Sequence, residues 1–231
     1  MKKIEIAFLF PLHNEEERVI KVKKFESYAR KRFKNFKFVF ILNNCSDNTE
    51  AKINRNFNKG DFIIIRSSNK NRGAGLNLAF KKIKCNFFAI CAVDNAWGFN
   101  FYTRAHKILK NNEIKIVYGP KSHPRSKIQR NALRQFISIL SKFFLKILFN
   151  NDLQFDSQCI KMFASNLKFL KKLKNFNYFA ETEFAISANR LGIKKKLIPV
   201  KINKTDGSKV NFKNLMLFCL EAFVFMLKKE K

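Results

Sequence analysis

Short apolar runs alternate with amphipathic segments along the first half of the chain. Bounded by polar or loop-forming residues, such runs predict buried strands. The predicted strands are Ile4–Phe10, Phe36–Leu42, Phe62–Ile65, Phe87–Val93 and Ile114–Tyr118. The segments between them carry apolar residues at helical spacing. This alternation predicts right-handed βαβ units and a mostly parallel central sheet flanked by helices, an α/β fold.

Polar and helix-breaking residues set the expected ends of these elements. Pro11 is expected to end the first strand, and Asn14 to cap the helix that follows. Ser46 or Asp47 is expected to cap the next helix, and the loop over residues 67–75 leads into a third.

The second half has a different pattern. A basic loop over residues 119–131 precedes a long amphipathic helix at 132–149, and residues 150–163 are expected to form a turn. Helices at 168–175 and 178–192, an edge strand at 194–202 and a final helix from residue 214 complete the prediction. We therefore expect one domain over 1–210, with halves 1–120 and 121–210, and a C-terminal amphipathic helix at 211–231.

Composition and charge narrow the class of protein. The 231 residues are 46% apolar, which is enough for a sizeable core and argues against disorder. The net charge of +30 attracts phosphate-rich partners such as nucleic acid, anionic lipid or phosphorylated substrates. A lysine-rich composition spread over every surface is the simpler explanation for most of that charge. The five cysteines show no zinc or disulfide pattern, which indicates a reducing compartment.

Neither end of the chain predicts a membrane-inserting segment. Glu5 interrupts the first apolar run, so no signal peptide is expected. Glu221 interrupts the run Leu215–Leu227, which as a helix would be about 20 Å long, shorter than the ~30 Å hydrocarbon core of a bilayer.

The candidate chemistry begins where the fourth apolar run stops, at Asp94 and Asn95. Open α/β sheets bind ligands outside the carboxyl ends of their strands. A carboxylate there is placed to hold a divalent cation, Mg²⁺ or Mn²⁺, that binds a diphosphate. The alternative is that Asp94 only caps the next helix.

Five stretches stand in order at or just beyond the predicted strand ends: FPLHNEE, ILNNCSDNT, NKNRGAG, AVDNAW and YGPK. The series resembles the family 2 glycosyltransferases of GT-A fold, whose usual pieces are P-x-x-N-E, V-D-D-G-S-x-D-x-T, N-x-G-x-G, a D-x-D-like motif and G-S-R. In the second half, DSQC with Lys161 and Phe163 resembles D-T-Q-C-G-F-K-x-F, and FAETE at 179–183 resembles F-D-x-E. IPV and then GSK resemble V-P-V and G-S-K. These later motifs resemble the polyprenyl-phosphate branch, the dolichyl-phosphate glucosyl- and mannosyltransferases.

The resemblance implies a GT-A fold in which residues 1–120 bind a nucleotide-sugar and residues 121–210 bind the acceptor. It implies a catalytic set of Asp94, Asp156 and Gln158, with Asp94 as the metal ligand. The nucleotide-sugar contacts that it implies are Pro11, His13, Asn14, Glu15, Asn43, Asn44, Asp47, Arg72, Gly73, Asp94 and Asn95. The chain departs from the family pattern where Asn43 and Asn44 replace an acidic pair. Ala92 and Ala96 leave Asp94 as a single acid, which should hold the cation more weakly.

The expected acceptor is a polyprenyl phosphate. Such a phosphate is ionised at neutral pH, so its attack needs positioning and neutralising cations but no general base. The cations expected to hold it are Lys121, Arg125, Arg130, Arg134 and Lys209. A sugar hydroxyl would instead require a base, for which Asp156, Glu181 and Glu183 are available.

The expected reaction is therefore inverting sugar transfer from a nucleotide-sugar to a polyprenyl phosphate. The alternatives are transfer to a saccharide hydroxyl of a surface glycan, an inactive paralogue that binds nucleotide-sugar, and a basic nucleic-acid-binding protein, although no nucleic-acid partner is expected. The helices after Ala132 and Asn214 carry apolar faces wider than a core needs. They predict a cytoplasmic protein in peripheral contact with the inner face of the membrane, unless the two faces pack on each other.

Overall fold

The computed structural model describes residues 3–94, 98–111, 113–128, 132–149, 155, 157–174, 176–202 and 212–227. The strands are β1 (Ile4–Leu12), β2 (Phe36–Asn43), β3 (Phe62–Ser67), β4 (Cys85–Ile90), β5 (Ile116–Gly119), β6 (Lys127–Ile128), β7 (Ile160–Ala164), β8 (Lys195–Leu197) and β9 (Lys201–Ile202). The helices are α1 (Val22–Arg32), α2 (Thr49–Asn56), α3 (Arg72–Lys82), α4 (Asn100–Leu109), α5 (Ala132–Phe149), α6 (Ala180–Arg190) and α7 (Phe212–Leu227).

Seven strands form the central sheet, in the order β3-β2-β1-β4-β7-β5-β8. The first four of these are mutually parallel, and β5 and β8 are also parallel to each other. Strand β7 is antiparallel to both of its neighbours, β4 and β5. The short strands β6 and β9 pair separately. The predicted α/β fold with a mostly parallel sheet is confirmed.

Alternating side chains of the strands fill a core on each face of the sheet. Phe8 and Phe10 of β1 pack among α1, α2 and α4 on one face. Ala7 and Leu9 pack against α3 and α6 on the other. A third cluster joins α5, α6 and α7, and its buried members are Leu145, Phe149, Phe179, Ile186, Phe218, Ala222 and Phe225.

Two expected boundaries in the first βα unit are wrong. Strand β1 continues through Pro11 to Leu12. Its pairing with β4 stops at Leu9, while its pairing with β2 continues to Leu12. Pro11 therefore has a strand on one side only, where proline is tolerated. Asn14 does not cap a helix, because α1 begins at Val22 after a 3-10 turn at Val19–Lys21.

The largest error concerns β7, which the sequence pattern placed in a turn. Its five residues are all buried, and they include a lysine, Lys161. A charge in the middle of the run hides the apolar pattern of a strand. Strand β4 ends at Ile90 rather than Val93, and the basic helix expected over residues 168–175 is only a 3-10 turn at Lys168–Lys172. The expected helices at 132–149, 178–192 and 214–229 are present as α5, α6 and α7.

Candidate functional site

The carboxyl ends of β1, β2, β3 and β4 meet at one edge of the sheet, because these strands are parallel neighbours. The segments that leave this edge are residues 13–18, 44–48, 68–71 and 91–94. We call this edge the sheet mouth. An open α/β sheet binds its ligand at this edge. Most of the residues predicted to contact the nucleotide-sugar lie here.

The loops after β1 and β2 are fastened to each other by hydrogen bonds. Asn14 Oδ1 accepts the backbone N–H of Ser46 at 2.9 Å. The N–H groups of Glu15 and Glu16 donate to Thr49 Oγ1 and Asp47 Oδ2, at 2.9 and 3.0 Å. The structure therefore brings the predicted residues Asn14, Glu15 and Asp47 together.

Asp47 is held as a carboxylate within this arrangement. Burial acts to raise its pKa, but hydrogen bonds from the Thr49 hydroxyl and from the N–H groups of Glu16 and Thr49 outweigh burial, so the pKa lies below its ordinary value. Asn14 and Asn44 adopt left-handed backbone conformations, with φ of 52° and 48°. Asparagine tolerates that region better than most residues.

Asn43 is the last residue of β2 and lies beneath the start of α3. It is buried, and its Oδ1 has no hydrogen-bond partner. A Cβ atom on Gly75 would stand 2.0 Å from that oxygen, so only glycine allows α3 to pass so close. The backbone oxygen of Asn43 lies 2.8 Å from His13 Nδ1. Pro11 and His13 flank the end of β1, and Asn44 is exposed beside them.

Asp94 follows β4 in a turn and is half-buried. It does not cap the next helix, because α4 begins at Asn100 after Phe99. Hydrogen bonds to Glu15 raise the pKa of Arg18, and the nearby charge of Asp94 adds to that effect. The turn after β4 therefore lies beside the loop that follows β1. Its neighbour Asn95 falls outside the described residues.

The chemistry of the sheet mouth fits a cation held together with its substrate. Within the ranges described above, no three His, Cys, Asp or Glu side chains cluster as a ready-made metal cage. Mg²⁺ and similar cations are usually bound through one or two carboxylates plus substrate phosphates and water. Asp94 is a carboxylate at this edge that could hold such a cation.

Arg72 and Gly73 begin α3 and are already engaged by the protein. The Arg72 N–H donates to Asn177 Oδ1 at 3.0 Å, and the Gly73 N–H donates to the Phe176 carbonyl oxygen at 2.8 Å. Both acceptors lie just before α6. The backbone donors that the sequence assigned to a diphosphate thus have protein acceptors in this structure.

A triad of charges links α3, β7 and α6, and Lys161 is its fully buried member. Arg72 pairs with Glu181 at 2.8 Å, and Lys161, whose side chain is fully buried, pairs with the other oxygen of Glu181. Burial acts to raise the pKa of Glu181, but the charges of Lys161 and Arg72 outweigh burial and bring it to about 2. Glu181 is therefore a carboxylate at any physiological pH.

The predicted acceptor residues are only partly within the described chain. Gln158 is exposed and donates to the Tyr178 carbonyl oxygen at 3.1 Å. Lys121 donates to the Gln158 carbonyl oxygen at 3.4 Å, so these two predicted residues are neighbours. Arg125 is exposed in the loop between β5 and β6. Asp156, Arg130, Lys209 and the side chain of Arg134 fall outside the described residues.

Sequence reasoning missed the structural roles of two charged residues. In the sequence, Lys161 stands out only as part of a motif, and Glu221 only as an interruption of an apolar run. A charge inside an apolar segment is itself a signal, since a buried charge must be paired. The partners could not be read from the sequence, because they lie on other elements: Glu181 for Lys161, and the backbone of residues 177–179 for Glu221.

Glu183 gives a testable pH dependence. Only 3% of it is exposed, Oε1 accepts the Lys174 N–H at 2.8 Å, and Oε2 has no partner. Burial raises its pKa to about 7. Because the folded protein binds this proton more tightly than the unfolded chain, the contribution of Glu183 to stability is greatest at low pH and is lost as pH rises from 4.5 to 7.

We expect Glu183→Gln to remove this part of the pH dependence. The shift corresponds to about 3 kcal/mol, measured as the difference between wild type and variant in urea unfolding at pH 5 and pH 8. Glu113→Gln is the control, because Glu113 is exposed on the surface. Wild type and Glu183→Gln curves that run parallel across this range would contradict the assignment.

The architecture agrees with solved glycosyltransferase structures. Glucosyl-3-phosphoglycerate synthase from Mycobacterium tuberculosis, in complex with Mn²⁺, uridine diphosphate and glucosyl-3-phosphoglycerate, superposes with a TM-score of 0.71 at 13% identity, over 97% of this chain and 79% of that chain. The same enzyme with Mn²⁺ and UDP-glucose gives a TM-score of 0.70 at 12% identity, over 97% and 78%. This likeness shows that the chain has the GT-A fold.

The family follows from the sequence. The model of Glycosyl transferase family 2 matches residues 8–197, and the chain belongs to that family. The chain is also similar to a dolichyl-phosphate beta-glucosyltransferase of Trichomonas vaginalis, with 23% identity over 228 residues that cover 92% of this chain and 70% of the relative. The family predicted from the order of the motifs is confirmed.

Proposed function

We propose that this protein transfers a sugar, with inversion, from a nucleotide-sugar to a polyprenyl phosphate at the cytoplasmic face of a membrane. An oxygen of the acceptor phosphate attacks the anomeric carbon from the side opposite the nucleotide. The new C–O bond forms as the bond to the diphosphate breaks, and a nucleoside diphosphate leaves. The similarity to a dolichyl-phosphate beta-glucosyltransferase supports this choice of acceptor.

The observation that carries the proposal is the state of Glu181. Glu181 is one of the three acids that could act as a base for a sugar hydroxyl. Its carboxylate is held in ion pairs with Lys161 and Arg72. With a pKa near 2, it is too weak a base to accept a hydroxyl proton efficiently at neutral pH. An acceptor that arrives already ionised avoids this requirement.

Glu183 has a pKa suited to a base but the wrong position. Its side chain is enclosed and bonded to the Lys174 backbone, so a sugar hydroxyl cannot reach it without opening the fold. A general base must first be within hydrogen-bond reach of its proton. Transfer to a saccharide hydroxyl would therefore depend on Asp156.

Different residues of the site are proposed to bind the nucleotide-sugar donor and the phosphate acceptor. In this proposal Asn44, Asp47 and the loop after β1 contact the nucleoside, and Asp94 faces the diphosphate. Asn43 is buried and acts through the contact of its backbone oxygen with His13. A divalent cation bound there would neutralise charge that develops on the leaving diphosphate. Lys121 and Arg125 attract the acceptor phosphate, with the other predicted cations of the second half.

Two apolar stripes support contact with a membrane. On α5, Ile139, Phe143 and Ile147 are each more than 60% exposed. On α7, the exposed residues are Met216, Leu217, Leu220, Phe223, Val224 and Leu227. The inner faces of both helices pack into the third core cluster, so mutual packing does not cover these stripes. None of the helices within the described ranges is long and apolar enough to cross a bilayer.

We expect the protein to bind anionic vesicles through these stripes. Apolar burial in the interface acts together with attraction of Lys and Arg to anionic lipid, about 1 kcal/mol for each basic residue near the surface. Sedimentation with phosphatidylserine vesicles should retain wild type and lose most of Phe143→Ser/Leu220→Ser. Leu191→Ser is the matched control, since Leu191 is equally exposed but lies at the end of α6. Equal binding by all three proteins would exclude the stripes as the contact.

The reaction is tested by a donor screen and by the product. Thermal shifts with UDP-glucose and GDP-mannose, with and without Mn²⁺, should show stabilisation by one donor only when metal is present. Mild acid should then release the sugar from a lipid product, because a glycosyl phosphodiester is acid-labile and an ordinary glycoside is not. An acid-stable product would reject the phosphate acceptor and favour a saccharide hydroxyl.

A further inference from the structure

Glu221 of α7 binds the backbone just before α6. Its Oε1 accepts the N–H of Asn177 at 2.9 Å, and its Oε2 accepts the N–H groups of Tyr178 and Phe179, each at 2.8 Å. These donors stand at the amino end of α6, where backbone N–H groups lack helical partners and a negative charge is favourable. One carboxylate on one helix thus fixes the start of another.

The same short segment, residues 176–181, also binds the start of α3. Phe176 and Asn177 accept the N–H groups of Gly73 and Arg72, and Glu181 pairs with the Arg72 guanidinium. A Cβ on Gly73 would lie 2.2 Å from the Phe176 carbonyl oxygen, which shows how closely the two pieces fit.

The segment also touches the acceptor half. The Tyr178 carbonyl oxygen accepts from Gln158, and the Lys161 ammonium reaches Glu181. Residues 176–181 therefore contact the helix that starts at the sheet mouth, the predicted acceptor residue Gln158 and α7. Glu221 accepts the backbone hydrogen bonds that join this segment to α7.

We propose that Glu221 is a positioning residue for sugar transfer. It acts through residues 176–181 on the amino end of α3 at the donor site and on Gln158 at the acceptor side. The helix that carries an exposed apolar stripe is thereby hydrogen-bonded to the segment that contacts both substrate sides. This inference rests on the proposed function for its catalytic consequence, but the coupling itself can be measured without any substrate.

Glu221→Gln tests the coupling with little change in side-chain size. The Gln amide nitrogen cannot accept an N–H bond, so at least one of the three bonds is lost, and each is a charge-assisted bond. Amide hydrogen exchange should become about tenfold faster, or more, at Asn177, Tyr178 and Phe179, and also at Arg72 and Gly73. Sugar transfer should lose about tenfold or more in kcat, while vesicle binding stays unchanged.

Phe218→Leu is the matched control on the same helix. Phe218 packs in the third core cluster, where its ring contacts that of Phe179, so this variant weakens the apolar contact between α7 and the same segment and leaves the carboxylate in place. In this variant, amide hydrogen exchange at Arg72 and Gly73 should stay close to that of wild type when each protein is measured equally far below its own Tm. Gly73→Ala disturbs the same joint from α3 and should reproduce the exchange pattern of Glu221→Gln, whereas Gly60→Ala, with open space at its Cβ, should not.

The outcomes separate this inference from the proposed function. Unchanged exchange at Arg72 and Gly73 in Glu221→Gln overturns the inference, whatever the activity. Equal loss of activity in Glu221→Gln and Phe218→Leu also overturns it, because stability alone would then explain both. If wild type transfers no sugar to polyprenyl phosphate, the proposed function fails, and exchange still decides whether Glu221 holds the start of α3.

Discussion

Asp94→Asn is expected to abolish measurable sugar transfer. Its carboxylate is the acid that the turn after β4 presents at the sheet mouth, beside the loop that follows β1. A divalent cation is worth several kcal/mol of charge stabilisation when a diphosphate leaves. Since about 1.4 kcal/mol corresponds to tenfold in rate, we expect kcat to fall by about 10²-fold or more.

The variant should also lose metal-dependent donor binding. The Mn²⁺-dependent part of the thermal shift with UDP-glucose or GDP-mannose should disappear, while any shift without metal should persist. Asp61→Asn is the control, because Asp61 pairs with Arg30 on the surface before β3. Near-wild-type turnover by Asp94→Asn would exclude Asp94 as the metal ligand and would leave the fold assignment intact.

Glu181→Gln is expected to be the most destabilising of these substitutions. It removes the negative charge that lies between Lys161 and Arg72. Lys161 is fully buried, so its charge would be left without compensation inside the protein. Breaking a buried ion pair from one side typically costs about 3–5 kcal/mol, which urea unfolding at pH 7 would measure.

The charge-neutral double variant Lys161→Met/Glu181→Gln separates charge from packing. Replacing a buried pair by uncharged residues of similar size is often nearly neutral, so the double variant should recover most of the lost stability. Glu50→Gln, which breaks a surface pair with Arg66, should cost no more than about 1 kcal/mol. If Glu181→Gln cost as little as Glu50→Gln, Lys161 would not depend on that carboxylate.

Individual residues show how much of the candidate site could be predicted from the sequence. The apolar run before Asp94 and the polar loops after β1 and β2 predicted side chains at one edge of a parallel sheet, and the structure places them there. Residue roles were less accessible. Asn14 looks like a helix cap by its position before three glutamates, but in the fold it bonds to Ser46 in a loop 32 residues away.

The sequence alone determined the family and the order of the elements from β1 to β5, because strand and helix periodicity and short motifs are local properties of the chain. The tertiary structure decided what the charges inside apolar segments do. Lys161 faces Glu181 across β7 and α6, and Glu221 faces the backbone before α6 from α7. Such pairings depend on which elements become neighbours, and the cost of leaving a buried charge unpaired is met only by that three-dimensional arrangement.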